Sequence, residues 1–351
     1  MAVTVSPSGL VTAVSPGIST IAAAHQGVSS TTQVTVPAPP PPGNGLRDIP
    51  APFPIGCATV NNFWTLADAV QYKAVAAREF NILTPANQMK WSHVHPTQAT
   101  YTFANADQHV QFAQANNMKA HGHTLLWHTS NPAWLTNPTV PWTKATLTAV
   151  MNGHIDNVVG HFRGKVAIWD VVNEHFTTEG RAFIWNQIIG PEYIELAFRR
   201  ARLADPAVRL IYNDYDVETV SVKSTAMYNM AVDFKARGVP INGVGLQMHI
   251  STNGIDYASF ANNMQRFANL GLEVYITEMT VVIAGAGTLA TQAEVYRQVM
   301  LRCLAQPACK GFQTWGFTDK YGYIPTLKAQ ILDANYNKKP AYFALQTALA
   351  S

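Results

Sequence analysis

The 351-residue chain can hold one large domain with a small appendage, and its 48% hydrophobic residues are ample for a substantial core. Only 13% of residues are charged, the formal net charge is +3 and Lys and Arg form no runs, which excludes a nucleic-acid backbone as partner and favours an uncharged ligand. No stretch approaches the ~20 apolar residues of a membrane span.

Residues 1–36 alternate Val, Thr and Ser with Gly and Pro, the composition of short antiparallel strands joined by tight turns. The run PAPPPPG from Pro37 to Gly43 reads as a stiff polyproline spacer, which predicts a linker over 37–44 and a main domain over 45–351. The N-terminus lacks the basic and apolar regions of a signal peptide, so an extracellular protein would have lost its signal or carried it upstream.

From about residue 45, apolar strand-like runs alternate with helical patterns. The runs are Pro54 to Val60, Ile82 to Trp91, Lys119 to His128, Val166 to Glu174, Arg209 to Asp216, Gly243 to Ile250, Glu273 to Val281 and Gly311 to Asp319. Helix candidates between and after them are Leu66 to Arg78, Ala104 to Asn116, Pro191 to Ala204, Val222 to Ala236, Tyr257 to Leu270, Thr291 to Leu304 and Pro340 to Leu349. Eight alternations in about 300 residues predict an α/β fold with a closed (β/α)8 barrel, the TIM barrel. A doubly wound open sheet would ordinarily carry a Gly-rich phosphate turn after its first strand, and none is present.

In such a barrel the chemistry belongs at the C-terminal strand ends. Two runs end in a carboxylate there, Glu174 and Glu278, and carboxyls on separate strand ends can face one bond from opposite sides, as glycosidic cleavage requires. An apolar strand ending in Glu is common by itself, as helix cap or surface pair. The other ends weigh against that: His123-Thr-Leu-Leu-Trp127-His128, Asn213-Asp-Tyr215, Gln247-Met-His249 and Trp315-Gly-Phe-Thr-Asp319 also gather polar and aromatic groups. Alternation puts Glu278 and Thr280 on one face and Gln247 and His249 on one face, so a Glu278–His249 hydrogen bond is expected. The same rule sends Asn173 and Glu174 opposite ways, so both reach one pocket only if the strand stops or bulges. Eight Trp and thirteen Tyr supply faces on which sugars stack.

Cys303 and Cys309 flank Gln306-Pro307, a spacing that a turn brings within disulfide distance, whereas Cys57 lies in an apolar run as a buried free thiol. This leans towards an oxidising compartment and a secreted, extracellular protein.

The ordered motifs FPIG at Phe53, TPANQMKW at Thr84, GHTLLWH at Gly122, WDVVNE at Trp169, NDY at Asn213, GVGLQMH at Gly243, ITEM at Ile276, WGFTDKYG at Trp315 and NYNKKPAY at Asn335 resemble glycoside hydrolase family 10, the retaining endo-β-1,4-xylanases. The resemblance covers residues 50 to 351; residues 1–36 resemble part of a bacterial immunoglobulin-like group 2 domain. Family 10 implies Glu174 as acid/base and Glu278 as nucleophile, with Asn173 on the sugar 2-hydroxyl and His249 and Gln247 supporting the nucleophile. It also implies that His123, Trp127 and His128 hold the sugar at the cleavage point under Trp315, that Asn87 and Lys90 bind the next sugar, and that Tyr215 contacts substrate near the nucleophile. The implied substrate is xylan or xylo-oligosaccharide, handled by a monomer with no cofactor and no metal.

Three positions depart from the family pattern. Ala86 replaces a Glu that accepts from a sugar hydroxyl, Thr280 replaces an Asp that orients the supporting histidine, and Tyr323 replaces a Trp. They keep open a different or heavily decorated β-glycoside, or a non-catalytic sugar-binding relative. The pairs His93-Val-His95 and His121-Gly-His123 keep open a metal-dependent hydrolase, since one intervening residue places two ligands on one strand face.

Overall fold

The computed structural model describes residues 3–7, 9, 11–13, 17–26, 28–36, 45–176, 183–322 and 325–351, divided between two compact units, Met1–Gly43 and Asn44–Ser351. In the first unit β1 (Val3–Val5) pairs antiparallel with β2 (Val11–Ala13). β3 (Gly17–His25) pairs antiparallel with β4 (Val28–Val36), in register from Gly17 opposite Val36 to His25 opposite Val28. The alternating Val, Ile and Thr of both strands suit a pleated ladder. These two separate pairs are the sheets among the described residues of this unit.

The second unit is a (β/α)8 barrel. Its staves are β5 (Ile55–Thr59), β6 (Ile82–Pro85), β7 (Lys119–Gly122), β8 (Ile168–Asn173), β9 (Arg209–Asp214), β10 (Gly243–Leu246) with its continuation β11 (His249–Ser251), β12 (Glu273–Val282) and β13 (Cys309–Thr314). All neighbours are parallel, and the ring closes through β13–β5 and β10–β12. The intervening helices, in chain order, are α1 (Ala69–Glu79), α2 (Trp91–Val94), α3 (Ala104–Ala115), α4 (Ala133–Thr136), α5 (Lys144–His161), α6 (Ile184–Ile188), α7 (Tyr193–Ala204), α8 (Val222–Ala236), α9 (Tyr257–Asn269) and α10 (Leu289–Ala305), with α11 (Pro340–Leu349) last. No helix among the described residues is long and apolar enough to cross a membrane.

Two cores result from strand alternation. One face of the staves packs against the helices in a single large cluster that includes Leu83, Trp169, Leu210, Val274 and Phe312. The other face contributes the separate cluster Ile82, Ile168, Ile211 and Tyr275. Two residues further along the same staves, and therefore on the same face, come Thr84, Asp170, Asn213 and Thr277, all buried. An apolar plug thus carries a polar layer directly above it, towards the C-terminal rim.

Several staves are shorter than the apolar runs of the sequence. β6 stops at Pro85 rather than Trp91, and β7 stops at Gly122 rather than His128. Beyond these ends Asn87, Lys90, His123 and Trp127 reach the barrel mouth, whereas Trp91, Leu125 and Leu126 stay in the core, the last still bridged to Val172. The eighteen-residue α5 was not among the helix candidates, because Gly153, Gly160 and several β-branched residues weaken its helical signature. It forms because Thr143 caps it, accepting from Thr146 N–H, and because Leu147, Met151, Ile155, Val158 and Val159 are buried against the barrel. Cys303 near the end of α10 is disulfide-bonded to Cys309 at the start of β13, and Cys57 is a buried free thiol.

Candidate active site

The polar layer is knit together before the mouth is reached. Thr84 Oγ1 donates to Gln313 Oε1 at 2.8 Å, and Gln313 Nε2 donates to His121 Nδ1 at 2.8 Å. That sets the tautomer of His121, whose Nε2–H then donates to Asp170 Oδ1 at 3.0 Å. His123 Nδ1 meets the other oxygen, Oδ2, at 2.7 Å. Burial alone would raise the Asp170 carboxyl, but the two imidazoles outweigh it and hold it at about 2. Asp170, which sequence reasoning did not single out, is therefore a fixed buried anion beneath the mouth.

Glu174, just past the end of β8, and Glu278, within β12, stand above this layer and line one cavity of about 820 Å³. Asn213 Nδ2 donates to Glu278 Oε1 at 2.7 Å and faces Asn173 Oδ1 at 3.0 Å, while Gln247 Nε2 reaches Asn173 Oδ1 at 3.3 Å and Glu174 Oε1 at 3.0 Å. A continuous chain of amides thus joins the two carboxyls. Gly245 makes room for it: a Cβ there would lie 2.2 Å from Asn213 Oδ1. Asn213 was legible only as part of a polar strand end, and nothing in its sequence context showed that it binds Glu278.

His249 Nε2 lies 3.0 Å from Glu278 Oε2, and its Nδ1 lies 3.0 Å from Thr280 Oγ1. Burial disfavours the charged imidazole, yet the adjacent Glu278 carboxylate overrides it and raises His249 above its ordinary value. Burial likewise opposes ionisation of Glu278, but the His249 hydrogen bond and the charges of His123 and His249 win and lower it. Glu278 is held as a carboxylate.

Glu174 reaches the same cavity as Asn173 by the irregularity that strict alternation demanded. The β8–β9 register shifts between Asp170 and Val172, β8 ends at Asn173, and Glu174 takes a left-handed φ of 58°. Trp127 Nε1 donates to Glu174 Oε2 at 2.7 Å, and His128 Nδ1 stands 3.8 Å from that oxygen with its ring against Phe183.

The remaining expected residues fall as follows. Asn87, Lys90, His123, Trp127, Tyr215, His249 and Trp315 all line the cavity. Lys90 Nζ donates to Asn87 Oδ1 at 2.8 Å and sits 4.5 Å over the Trp127 ring; burial lowers it to about 8, against the pull of Glu278 and Glu174. Asn87 Nδ2 donates to Asn61 Oδ1 at 3.1 Å, which adds Asn61 to the wall beside Ala86. Gln247 serves both carboxyls: its side chain binds Glu174, and its carbonyl accepts Glu278 N–H at 3.0 Å. Met248, with a φ of 65°, lies between β10 and β11 where the stave is interrupted. Tyr323 lies outside the described residues.

The paired histidines do not assemble as two sets of metal ligands. His95 stacks on Trp91 and Tyr101 and faces His154, whereas His93 lies beside Ser92. Among the described residues, ligand-type atoms converge only in His123, Asp170 and Glu278, within 4.8 Å of one another, and all three already hold hydrogen-bond partners.

The sequence model of Glycosyl hydrolase family 10 matches residues 48–348. The chain is 51% identical over 303 residues to endo-1,4-beta-xylanase B of Thermotoga neapolitana, covering 83% of this chain and 87% of that protein. The crystal structure of native xylanase 10B from Thermotoga maritima superposes with a TM-score of 0.84 at 49% identity, over 87% of this chain and 98% of that one. Xylanase 10B from Thermotoga petrophila RKU-1, solved in complex with xylobiose, gives 0.85 at 48% identity over 88% and 97%.

Proposed function

This chain belongs to glycosyl hydrolase family 10, and from that membership we propose that it is an endo-1,4-β-xylanase that cleaves xylan with retention of anomeric configuration. The observation that carries the reading is the pair Glu174 and Glu278 on two staves lining one cavity, joined through Gln247, Asn173 and Asn213. Glu278, held ionised by His249 and His123, attacks the anomeric carbon while Glu174 gives its proton to the leaving oxygen. The resulting ester removes the Glu278 charge, and Glu174 then takes a proton from the water that releases the sugar. Two inversions at one carbon leave the configuration unchanged.

Substrate handling follows from the cavity wall. Asn173 Oδ1 is occupied by two amides, so Asn173 offers a sugar hydroxyl its NH₂ group. Trp315 and Tyr215 supply apolar faces for sugar rings, and Asn87 with Lys90 supplies donors one sugar further along. The catalytic unit acts as a monomer on a neutral glycan, without nucleic acid. The Cys303–Cys309 disulfide supports an oxidising, extracellular setting, which recovery of activity from culture fluid rather than cells would test.

Proton NMR of a xylo-oligosaccharide digest is the direct test: the first product should be the β-anomer, and a 2-deoxy-2-fluoro xylobioside should leave a stable ester on Glu278. Initial α-product, or an undiminished rate in Glu278→Ala, would sink the reading.

A further inference from the structure

We propose that Tyr212, backed by Asp214, is a positioning residue that aims the acid/base carboxyl of Glu174, an inference that rests on the hydrolytic reading above. Glu174 sits at φ 58°, a left-handed backbone conformation that a residue with a Cβ adopts only at a cost. A side chain on such a turn keeps its direction only where the surrounding structure holds the turn.

The hold comes from β9. Glu174 N–H donates to the Asn213 carbonyl at 2.9 Å. The next two backbone N–H groups, of His175 and Phe176, both donate to the phenolic oxygen of Tyr212, at 2.8 and 3.2 Å. Tyr212 in turn gives its own hydrogen to Asp214 Oδ2 at 2.5 Å. Asp214 Oδ1 accepts from Lys223 Nζ at 2.8 Å and from Tyr215 N–H at 2.9 Å. Tyr212 and Asp214 are both fully buried, so no water replaces a bond that is lost.

This arrangement separates hydroxyl from ring. The Tyr212 ring packs edge-on to Phe176 with centroids 5.6 Å apart, and phenylalanine would fill that space equally well. The hydroxyl serves the turn: it gathers two successive N–H groups and passes their polarity to a buried carboxylate. Asp214 extends the hold to a second wall residue, because Lys223 also donates to the Tyr215 carbonyl at 2.6 Å and lies 3.3 Å over the Tyr215 ring. The acid/base and the cavity-wall aromatic Tyr215 are thereby set by one buried hub.

The test uses the full chain and aryl β-xylobiosides of graded leaving ability. A dinitrophenolate departs with little proton assistance, whereas an unactivated phenol needs it. In Tyr212→Phe, kcat/KM should fall about tenfold on the unactivated glycosides and less than about twofold on the dinitrophenyl one. Asp214→Asn, which keeps an oxygen for the phenol, should shift the same way by less and supplies the profile if Tyr212→Phe does not fold. Amide hydrogen exchange at His175 and Phe176 should quicken at least about tenfold in Tyr212→Phe. Equal losses on all leaving groups, no loss on any, or unchanged exchange would overturn the proposal. A wild type that cleaves no xyloside would instead remove the functional reading, and the exchange measurement would then decide the turn alone.

Discussion

Thr280 shows how one substitution sets a titration. Its hydroxyl faces His249 Nδ1 at 3.0 Å but carries no charge, so the imidazolium rests on Glu278 for its elevation. The sign follows from both partners. Glu278, lowered from its ordinary 4.5, contributes stability above that value and loses it as pH falls through the lowered one. His249, raised from 6.5, contributes fully below that value and loses it as pH rises through the raised one. The pair therefore holds between the lowered Glu278 value and the raised His249 value. Thr280→Asp places a second carboxylate on the ring and should move the alkaline limb of the kcat/KM profile upward by roughly one pH unit, and an unmoved limb would show that the hydroxyl already suffices. Ala86 makes the complementary case on the glycone side, where Asn87, Asn61 and Lys90 line the wall without a carboxylate. Ala86→Glu should lower KM for xylotetraose about tenfold, the worth of one hydrogen bond to a charged group, with kcat nearly unchanged.

At the scale of elements, the segment after β13 illustrates how a loop is made into a wall. Trp315, Tyr321 and Leu327 line the cavity from this loop, and a buried pair braces it from behind. Lys339 Nζ donates to Asp319 Oδ2 at 3.0 Å and to the carbonyls of Lys328 and Gln330 at 2.8 and 2.7 Å. The two side chains are 6% and 8% exposed. Lys339→Met leaves the buried Asp319 carboxylate without its cation, with the Gln330 N–H still donating to Oδ1 at 3.0 Å, and should cost about 3 kcal/mol in denaturant unfolding and raise KM as the wall loosens. A change within experimental error would mean the loop is held by its other contacts. A second brace is Asp68, ahead of α1, which accepts from Tyr321, Tyr336 and Lys320 at 2.6, 2.8 and 2.6 Å. Hydrophobic periodicity marked the staves and most helices, but it overran the strand ends and passed over α5, because it reports which residues are apolar and not where a ladder stops.

Over the whole molecule, the large hydrophobic cluster begins at Leu46, so the catalytic unit has a core of its own. Deleting residues 1–43 should leave kcat/KM on xylo-oligosaccharides and the melting temperature of the barrel within a few degrees of the full chain. A collapse of either would assign the N-terminal unit a structural role.

The order of motifs, the eightfold alternation and the two carboxylates that break apolar runs were fixed by local sequence, since a barrel strand buried on both faces must be apolar until it nears the rim. Which groups touch which carboxyl was decided only by the closed ring. Asn213 and Glu278 are 65 positions apart and Gln247 and Glu174 are 73 apart, and both pairs meet only because the staves that carry them converge on one axis. The left-handed turns at Glu174 and Met248 belong to the same level: neither residue has an intrinsic preference for that backbone, and the neighbouring staves impose it.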